Sequence, residues 1–227
     1  MRLLITGADR PLGRLAAQHL ASRHELRLCG LSPRPAGDAS LYRQADLRSA
    51  PDVDALVAGI EAVLHLAEFE PVTRTGPNGE LEVLEHASLG TYRLLVAARA
   101  ASIDRVVLAS TLAFYDAYPE TYRIDELWRP RPSTEAAQLA PFLAERVAQE
   151  FAREGGIRAV CLRFAPIGDD PERCTTAADA LEAMDRALAL EFTVPGYRWQ
   201  VYHIASSQRF LLRNAHLHLG FVGAEGR

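Results

Sequence analysis

The sequence predicts an α/β domain built on a doubly wound parallel sheet with helices on both faces. Three observations carry that expectation. Short apolar runs alternate with longer amphipathic stretches along the whole chain, the order a repeated strand–helix–strand unit produces. The runs at Ala62, Arg105 and Arg158 are nearly continuous in apolar residues, as strands covered on both faces must be. The first run ends directly in a glycine turn that leads into a helix.

Leu3 to Thr6 reads as the first strand. Leu12, Leu15, Ala16 and Leu20 then recur at helical spacing, giving a helix over Pro11 to Arg23 with proline near its start. Leu26 to Leu31 is a second strand, closed by Ser32-Pro33-Arg34-Pro35, which no helix crosses. A short helix over Pro51 to Gly59 precedes a strand over Ala62 to Ala67. Gly79 to Ala101 forms one long helix through Leu81, Leu84, Leu89, Leu94, Leu95 and Ala98. A strand over Arg105 to Ser110 follows, then a loop through Arg129-Pro130-Arg131-Pro132 and a second long helix over Thr134 to Arg153. Arg158 to Phe164 is a strand, Thr176 to Leu190 a helix and Gln200 to Ala205 the last strand. Beyond Ser206 the pattern assigns no element.

The totals set the frame. The 227 residues suffice for one domain over 1–227 that needs no disulfide or metal staple. With 48% hydrophobic residues and a net charge of −4, the chain lacks the basic face that nucleic acid requires. All 25 basic residues are arginine, so lysine chemistry, including a Schiff base or a phosphate-loop lysine, is excluded. Cys29, Cys161 and Cys174 show no metal spacing, and an odd number of unpatterned thiols suits a reducing cytoplasm. His216 and His218 are two residues apart but have no third ligand, so no metal is expected. No apolar stretch approaches the ~20 residues that span a bilayer, and the start is too short an apolar run for a signal peptide. A cytoplasmic protein without membrane contact is the expectation.

Thr6-Gly7-Ala8-Asp9-Arg10-Pro11-Leu12-Gly13 lies between the first strand and the first helix. A dinucleotide-binding fold of Rossmann type places its phosphate loop there, with the pyrophosphate at the helix N-terminus. Arg10 can offer charge-assisted hydrogen bonds to a phosphate. At the end of the second strand, where NAD-binding folds hold the ribose 2′-hydroxyl with Asp or Glu, the chain offers Ser32 and Arg34 and no carboxylate. The expected cofactor is therefore NADP or NAD, with NADP favoured.

These motifs resemble the extended short-chain dehydrogenase/reductase, or NAD-dependent epimerase/dehydratase, family. Gly7 and Gly13 match its T-G-x-x-G-x-x-G loop, while Arg10 (or Pro11, in the shorter enzymes' register) replaces the middle glycine. The resemblance makes Ala45-Asp46-Leu47 the element whose aspartate contacts adenine, and Val63-Leu64-His65-Leu66-Ala67 the strand end along the cofactor. Gly90-Thr91, Val106 to Thr111 with Tyr115, Leu162 to Gly168 and Asp179 follow in family order, so the likeness spans residues 2 to about 206. It implies cofactor contacts from Gly7, Arg10, Pro11, Leu12, Gly13, Ser32, Arg34, Asp46, Leu47, Leu66, Ala67 and Arg146. It also implies a substrate-capping lobe, which residues 165–227 retain only as a remnant.

The catalytic positions depart from the family. Thr111 fits the Ser/Thr that binds the reacting oxygen. The Y-x-x-x-K segment aligns with Phe142-Leu143-Ala144-Glu145-Arg146, followed by Glu150, and the helix asparagine is Ala87. Phenylalanine has no proton to give, and a planar guanidinium does not reproduce a compact ammonium. Tyr115 is the first candidate for a displaced acid beside Thr111; Tyr118, Tyr122, Glu145 and His65 are others. Two readings follow. One is a family member without the standard acid/base pair, serving as a cofactor sensor, scaffold or partner subunit. The other is an active NADP-dependent reductase, epimerase or dehydratase on a carbonyl or nucleotide-sugar substrate, using a displaced acid. A non-redox isomerase is a third use of the fold. The two long helices resemble those that pair in the family's dimers, so a homodimer and a small-molecule substrate are the expected partners.

Overall fold

The computed structural model describes residues 1–33, 41–67, 69, 78–170, 172–193 and 198–223. Seven strands form one sheet: β1 (Arg2–Thr6), β2 (Glu25–Gly30), β3 (Tyr42–Gln44), β4 (Ala62–His65), β5 (Arg105–Thr111), β6 (Arg158–Phe164) and β7 (Trp199–Ile204). All pair in parallel, in the order β3-β2-β1-β4-β5-β6-β7. The chain winds outward from β1 in one direction and then from β4 in the other. A crevice therefore opens at the carboxyl ends of β1 and β4, where such sheets bind ligands.

Helices α1 (Pro11–Leu20), α2 (Ala50–Val57), α3 (Gly79–Glu85), α4 (Thr91–Ala100), α5 (Ala136–Glu154) and α6 (Ala177–Ala189) cover the sheet. Alternate residues of each strand point to opposite faces, which divides the core in two. Leu3, Ile5, Leu64, Val107 and Leu162 pack on one face with Leu12, Ala16 and Leu20 of α1 and Ala183 and Met184 of α6. Leu4, Val63, Val106, Leu108 and Cys161 pack on the other with α2, α4 and α5.

Every helix and strand read from the sequence is present, with no end shifted by more than three residues. Two features differ in kind. The Gly79–Ala101 helix is broken into α3 and α4 by a π-helical turn over His86–Gly90. That turn seats Gly90 against Leu47, where an added Cβ would stand 3.1 Å from the leucine Cβ. Strand β3 has only Tyr42 as an apolar signal, because it is an edge strand with one side in water. His216 and His218 lie in a second π-helical turn, Ala215–Leu219, and share no strand.

The segment after β7 folds back over the loop that follows β5. Phe210 bridges to Ile124, and the Arg209 Nη2 donates to the carbonyls of Tyr115 and Tyr118 at 2.8 and 3.0 Å. Beneath it lies a buried ion pair. Arg163 of β6 donates from Nε and Nη2 to the two oxygens of Glu145 of α5, at 2.8 and 2.7 Å. Burial alone would raise the Glu145 carboxyl, but the Arg163 guanidinium holds it below the usual carboxylate range. Arg163 also donates to the Tyr115 hydroxyl at 2.5 Å, and the His203 Nε2 lies 3.2 Å from the same oxygen.

Cys29 and Cys161 are buried free thiols, and burial raises both, Cys29 to about 12. Cys174 is free and half-buried. Among the described residues no helix is long and apolar enough to cross a membrane, and no three metal-ligating side chains cluster.

Burial and the Arg163 charge push His203 well below its ordinary value, so it is neutral in the folded chain. The unfolded chain protonates this histidine near pH 6.5, so folded stability falls as pH drops below about that point. The Glu145 contribution is lost only at lower pH, as its depressed folded value is crossed. Urea midpoints are expected to decline below about pH 6.5, with a shallower initial decline in His203→Gln. A midpoint independent of pH down to about pH 5 would remove His203 from this account.

Candidate functional site

The crevice is built from the β1–α1 turn. Gly7 takes φ +68, and an added Cβ would stand 2.7 Å from the Ala67 Cα. An added Cβ on Gly13 would overlap the Gly7 carbonyl, so α1 begins directly on the glycine turn. The Gly7 carbonyl accepts from Arg10 N at 2.9 Å, and Pro11 opens the helix where its missing N–H is not needed. The N-cap, Arg10, has no side-chain acceptor for the first turn of N–H groups. Those donors and the positive end of α1 suit an anion.

The other wall comes from β4. His65 is buried between β1 and the start of α4, with Nδ1 2.7 Å from Thr6 Oγ1 and Nε2 2.9 Å from Thr91 Oγ1. Thr6 Oγ1 also accepts from Leu66 N at 3.2 Å. His65 thus clamps the crevice walls together and does not face a substrate.

A cleft opens between these walls, lined by Gly7, Asp9, Arg10, Gly30, Leu47 and Arg48 among others. Its floor at Cys29, Ala45 and Leu47 is apolar and buried, as a planar base requires. Arg48 is held by both oxygens of Asp46, at 2.7 and 3.1 Å, and by Glu85 at 3.2 Å. Burial raises the Asp46 carboxyl, but the side-chain and backbone hydrogen bonds of Arg48 outweigh it and the net shift is downward. Asp46 therefore positions Arg48 at the cleft, and its own carboxylate is not part of the lining.

The second strand end holds a carboxylate after all. Asp9 reaches across from the glycine turn, and its Oδ2 accepts from Ser32 N at 3.0 Å. The sequence-based preference for NADP rested on the absence of an acidic group there; loop geometry supplies one from twenty-three positions upstream. Ser32 is an exposed backbone donor to that carboxylate. Arg34 lies outside the described residues.

The chain matches the family model described as "NAD dependent epimerase/dehydratase family" over residues 3–190. It belongs to that family. A uronate dehydrogenase of Pseudomonas putida is 29% identical over 97% of this chain and 83% of its own length. A uronate dehydrogenase of Agrobacterium fabrum is 39% identical over 75% of this chain and 63% of its own length. A variant of the Agrobacterium tumefaciens uronate dehydrogenase, solved with NAD, superposes with a TM-score of 0.80 at 26% identity, covering 97% of this chain and 83% of that one.

The family's cofactor positions are distributed unevenly here. Gly7, Arg10, Leu47 and Ala67 line the cleft. Gly13 is buried beneath the glycine turn, and Leu12 and Leu66 are buried core residues, while Pro11 is exposed at the start of α1. Arg146, which the motif resemblance aligns with the family's lysine, donates to Gln149 at 2.6 Å and Glu145 at 3.2 Å and stacks over the Phe142 ring. Its guanidinium lies along α5.

At the catalytic end, Thr111 is half-buried and its Oγ1 accepts from Ala113 N at 3.1 Å, leaving the hydroxyl proton to donate. Tyr115 does not stand beside it as an acid. Its side chain is fully buried, its hydroxyl is engaged by Arg163 and His203, and burial raises it far above its ordinary value. Glu145 is likewise enclosed in its ion pair. Tyr118 alone of the tyrosine candidates lines the same groove as Phe142, together with Arg129 and Arg131. Its hydroxyl donates to the Arg129 carbonyl at 2.9 Å, and the Arg131 guanidinium lies over its ring. Asp9 and Arg48 are the site residues that motif matching did not single out, since both reach the cleft only through loop geometry.

Gly13→Ala is expected to lower stability by roughly 1–3 kcal/mol and to weaken any dinucleotide-induced rise in Tm. Thermal scans with and without NADH check this; an unchanged Tm and ligand response would mean that the turn relaxes freely.

Proposed function

We propose that the chain is a dinucleotide-dependent dehydrogenase of a small sugar or sugar acid that uses Tyr118 in place of the missing phenol at Phe142. The observation that carries this reading is the groove in which Tyr118 and Phe142 stand together beside two arginines. The names of the uronate dehydrogenases it resembles support the substrate class. A dinucleotide held by the β1–α1 turn supplies a two-electron acceptor or donor. The Thr111 hydroxyl donates a hydrogen bond to the reacting substrate oxygen. Tyr118 gives that oxygen its proton in reduction and receives it in oxidation. Arg129 and Arg131 offer guanidinium groups for a substrate carboxylate.

A second reading has its own observation. Phe142 and Arg146 remove the standard acid and its partner at once, which suits a cofactor-binding sensor, scaffold or partner subunit. Absorbance at 340 nm with NAD or NADP and a panel of uronates and neutral aldoses separates the two. The dehydrogenase reading expects turnover on an acidic sugar, lowered about 10²–10⁴-fold in Tyr118→Phe. Dinucleotide binding without turnover on any panel member supports the sensor reading. Turnover indifferent to Tyr118→Phe removes Tyr118 from the chemistry.

We also propose that two copies pair through the surface of α3, α4 and α5. Leu81, Leu89, Tyr92 and Val96 are exposed on the first pair of helices and their joining turn, an apolar surface that a monomer leaves in water. Sedimentation at micromolar concentration is expected to show a dimer that Tyr92→Glu dissociates; a wild-type monomer would overturn the pairing.

A further inference from the structure

Gly30 ends β2 with a notch, and Asp9 fills it. A Cβ added to Gly30 would overlap the Asp9 carboxylate, with the Tyr42 hydroxyl 2.9 Å from the same point. The Tyr42 hydroxyl donates to the Ser32 carbonyl at 2.7 Å, and Asp9 Oδ2 accepts from Ser32 N at 3.0 Å. The Arg14 Nη1 donates to the Asp9 carbonyl at 2.5 Å, which fixes the backbone from which the carboxylate reaches. Ser32 N thus bonds the carboxylate itself at the carboxyl end of the second strand, while Tyr42 and Arg14 fix the backbone carbonyls of Ser32 and Asp9.

That carboxylate is only half-buried and lines the cleft beside Cys29, Gly30 and Leu31. An ionised carboxylate accepts hydrogen bonds and cannot donate them. The Ser32 amide occupies one of its roughly four lone-pair sites, leaving capacity for two vicinal hydroxyls. A phosphate monoester at the same point would bring two like charges together without a proton to share. The Arg48 charge across the cleft is compensated by Asp46 and Glu85. Arg10 stands at the N-cap of α1 and lines the same cleft, where the N–H groups of the first helical turn suit an anion.

We infer that Asp9 is the specificity-determining residue of the cleft, receiving the free 2′- and 3′-hydroxyls of an adenosine ribose and excluding a 2′-phosphate. The inference rests on the dinucleotide-binding reading above and adds the choice of nucleotide to it. It reverses the preference for NADP that the sequence suggested, because the acidic group comes from the glycine turn and not from the strand that it caps.

Calorimetric titration with NADH and NADPH tests it on wild type, Asp9→Asn and Asp9→Ala. Wild type is expected to bind NADH at least about tenfold more tightly than NADPH, which corresponds to about 1.4 kcal/mol. In Asp9→Asn, which keeps an acceptor for Ser32 N, the ratio is expected to approach unity, mainly through tighter NADPH binding. Competition between 5′-AMP and 2′,5′-ADP on wild type reads the same preference without any substitution, so it stands if a variant fails to fold. A wild-type preference for NADPH, or a ratio unchanged in both variants while both nucleotides bind, overturns the role of Asp9 and leaves the dinucleotide reading standing. Binding of neither nucleotide overturns both.

Discussion

The arrangement of the catalytic end depends on one buried ion pair. Arg163 and Glu145 are both almost wholly removed from water, and each charge carries a desolvation penalty of several kcal/mol if left alone. Two parallel hydrogen bonds offset that penalty only in one geometry, which ties α5 to β6 at a fixed height. The third donor of Arg163 then fixes Tyr115, and through it the short 3-10 turn Leu112–Tyr115. Tyr118 follows from that turn, with Trp128 packed edge-on against its ring. The groove containing Phe142 is thus placed by a buried ion pair.

The nucleotide end is organised by a different constraint, the absence of side chains. Gly7 and Gly13 allow a strand, a turn and a helix to meet at backbone distance, and Gly30 leaves space for the Asp9 carboxylate. The family's middle glycine is Arg10, a substitution that leaves the turn intact because its backbone is extended and needs no positive φ. The binding end therefore keeps the geometry of a dinucleotide fold while its charges are rearranged. At the other end Thr111 is present, and positions 142 and 146 hold phenylalanine and arginine. The glycine turn and Thr111 stand on different loops, one after β1 and one at the end of β5.

Much of the fold was legible because its signals are local. Parallel strands buried on both faces must be apolar throughout, and β4, β5 and β6 are. The glycine turn was legible because a positive φ and close approach admit few residue types. Strand β3 was not, because an edge strand with polar residues resembles a loop. The π-helical turn was not, because one inserted residue scarcely alters an apolar periodicity. At the site, motif resemblance singled out Thr111 and Phe142 as positions to compare. The burial of Tyr115 could not, since three tyrosines in one loop look alike until Arg163 and His203 engage one of them.

The sequence by itself determined a parallel α/β sheet apart from its edge strand β3, and the glycine turn after β1, because hydrophobic periodicity and glycine placement act within a few residues. It also determined that no phenol stands at position 142 and no lysine anywhere. Tertiary structure alone decided which tyrosine is enclosed and which lines the groove, and that Asp46 pairs with Arg48. It also decided that Asp9 supplies the carboxylate missing from the end of β2. Each of these depends on side chains from separate elements meeting in space, and the periodicity of a chain carries no record of such meetings.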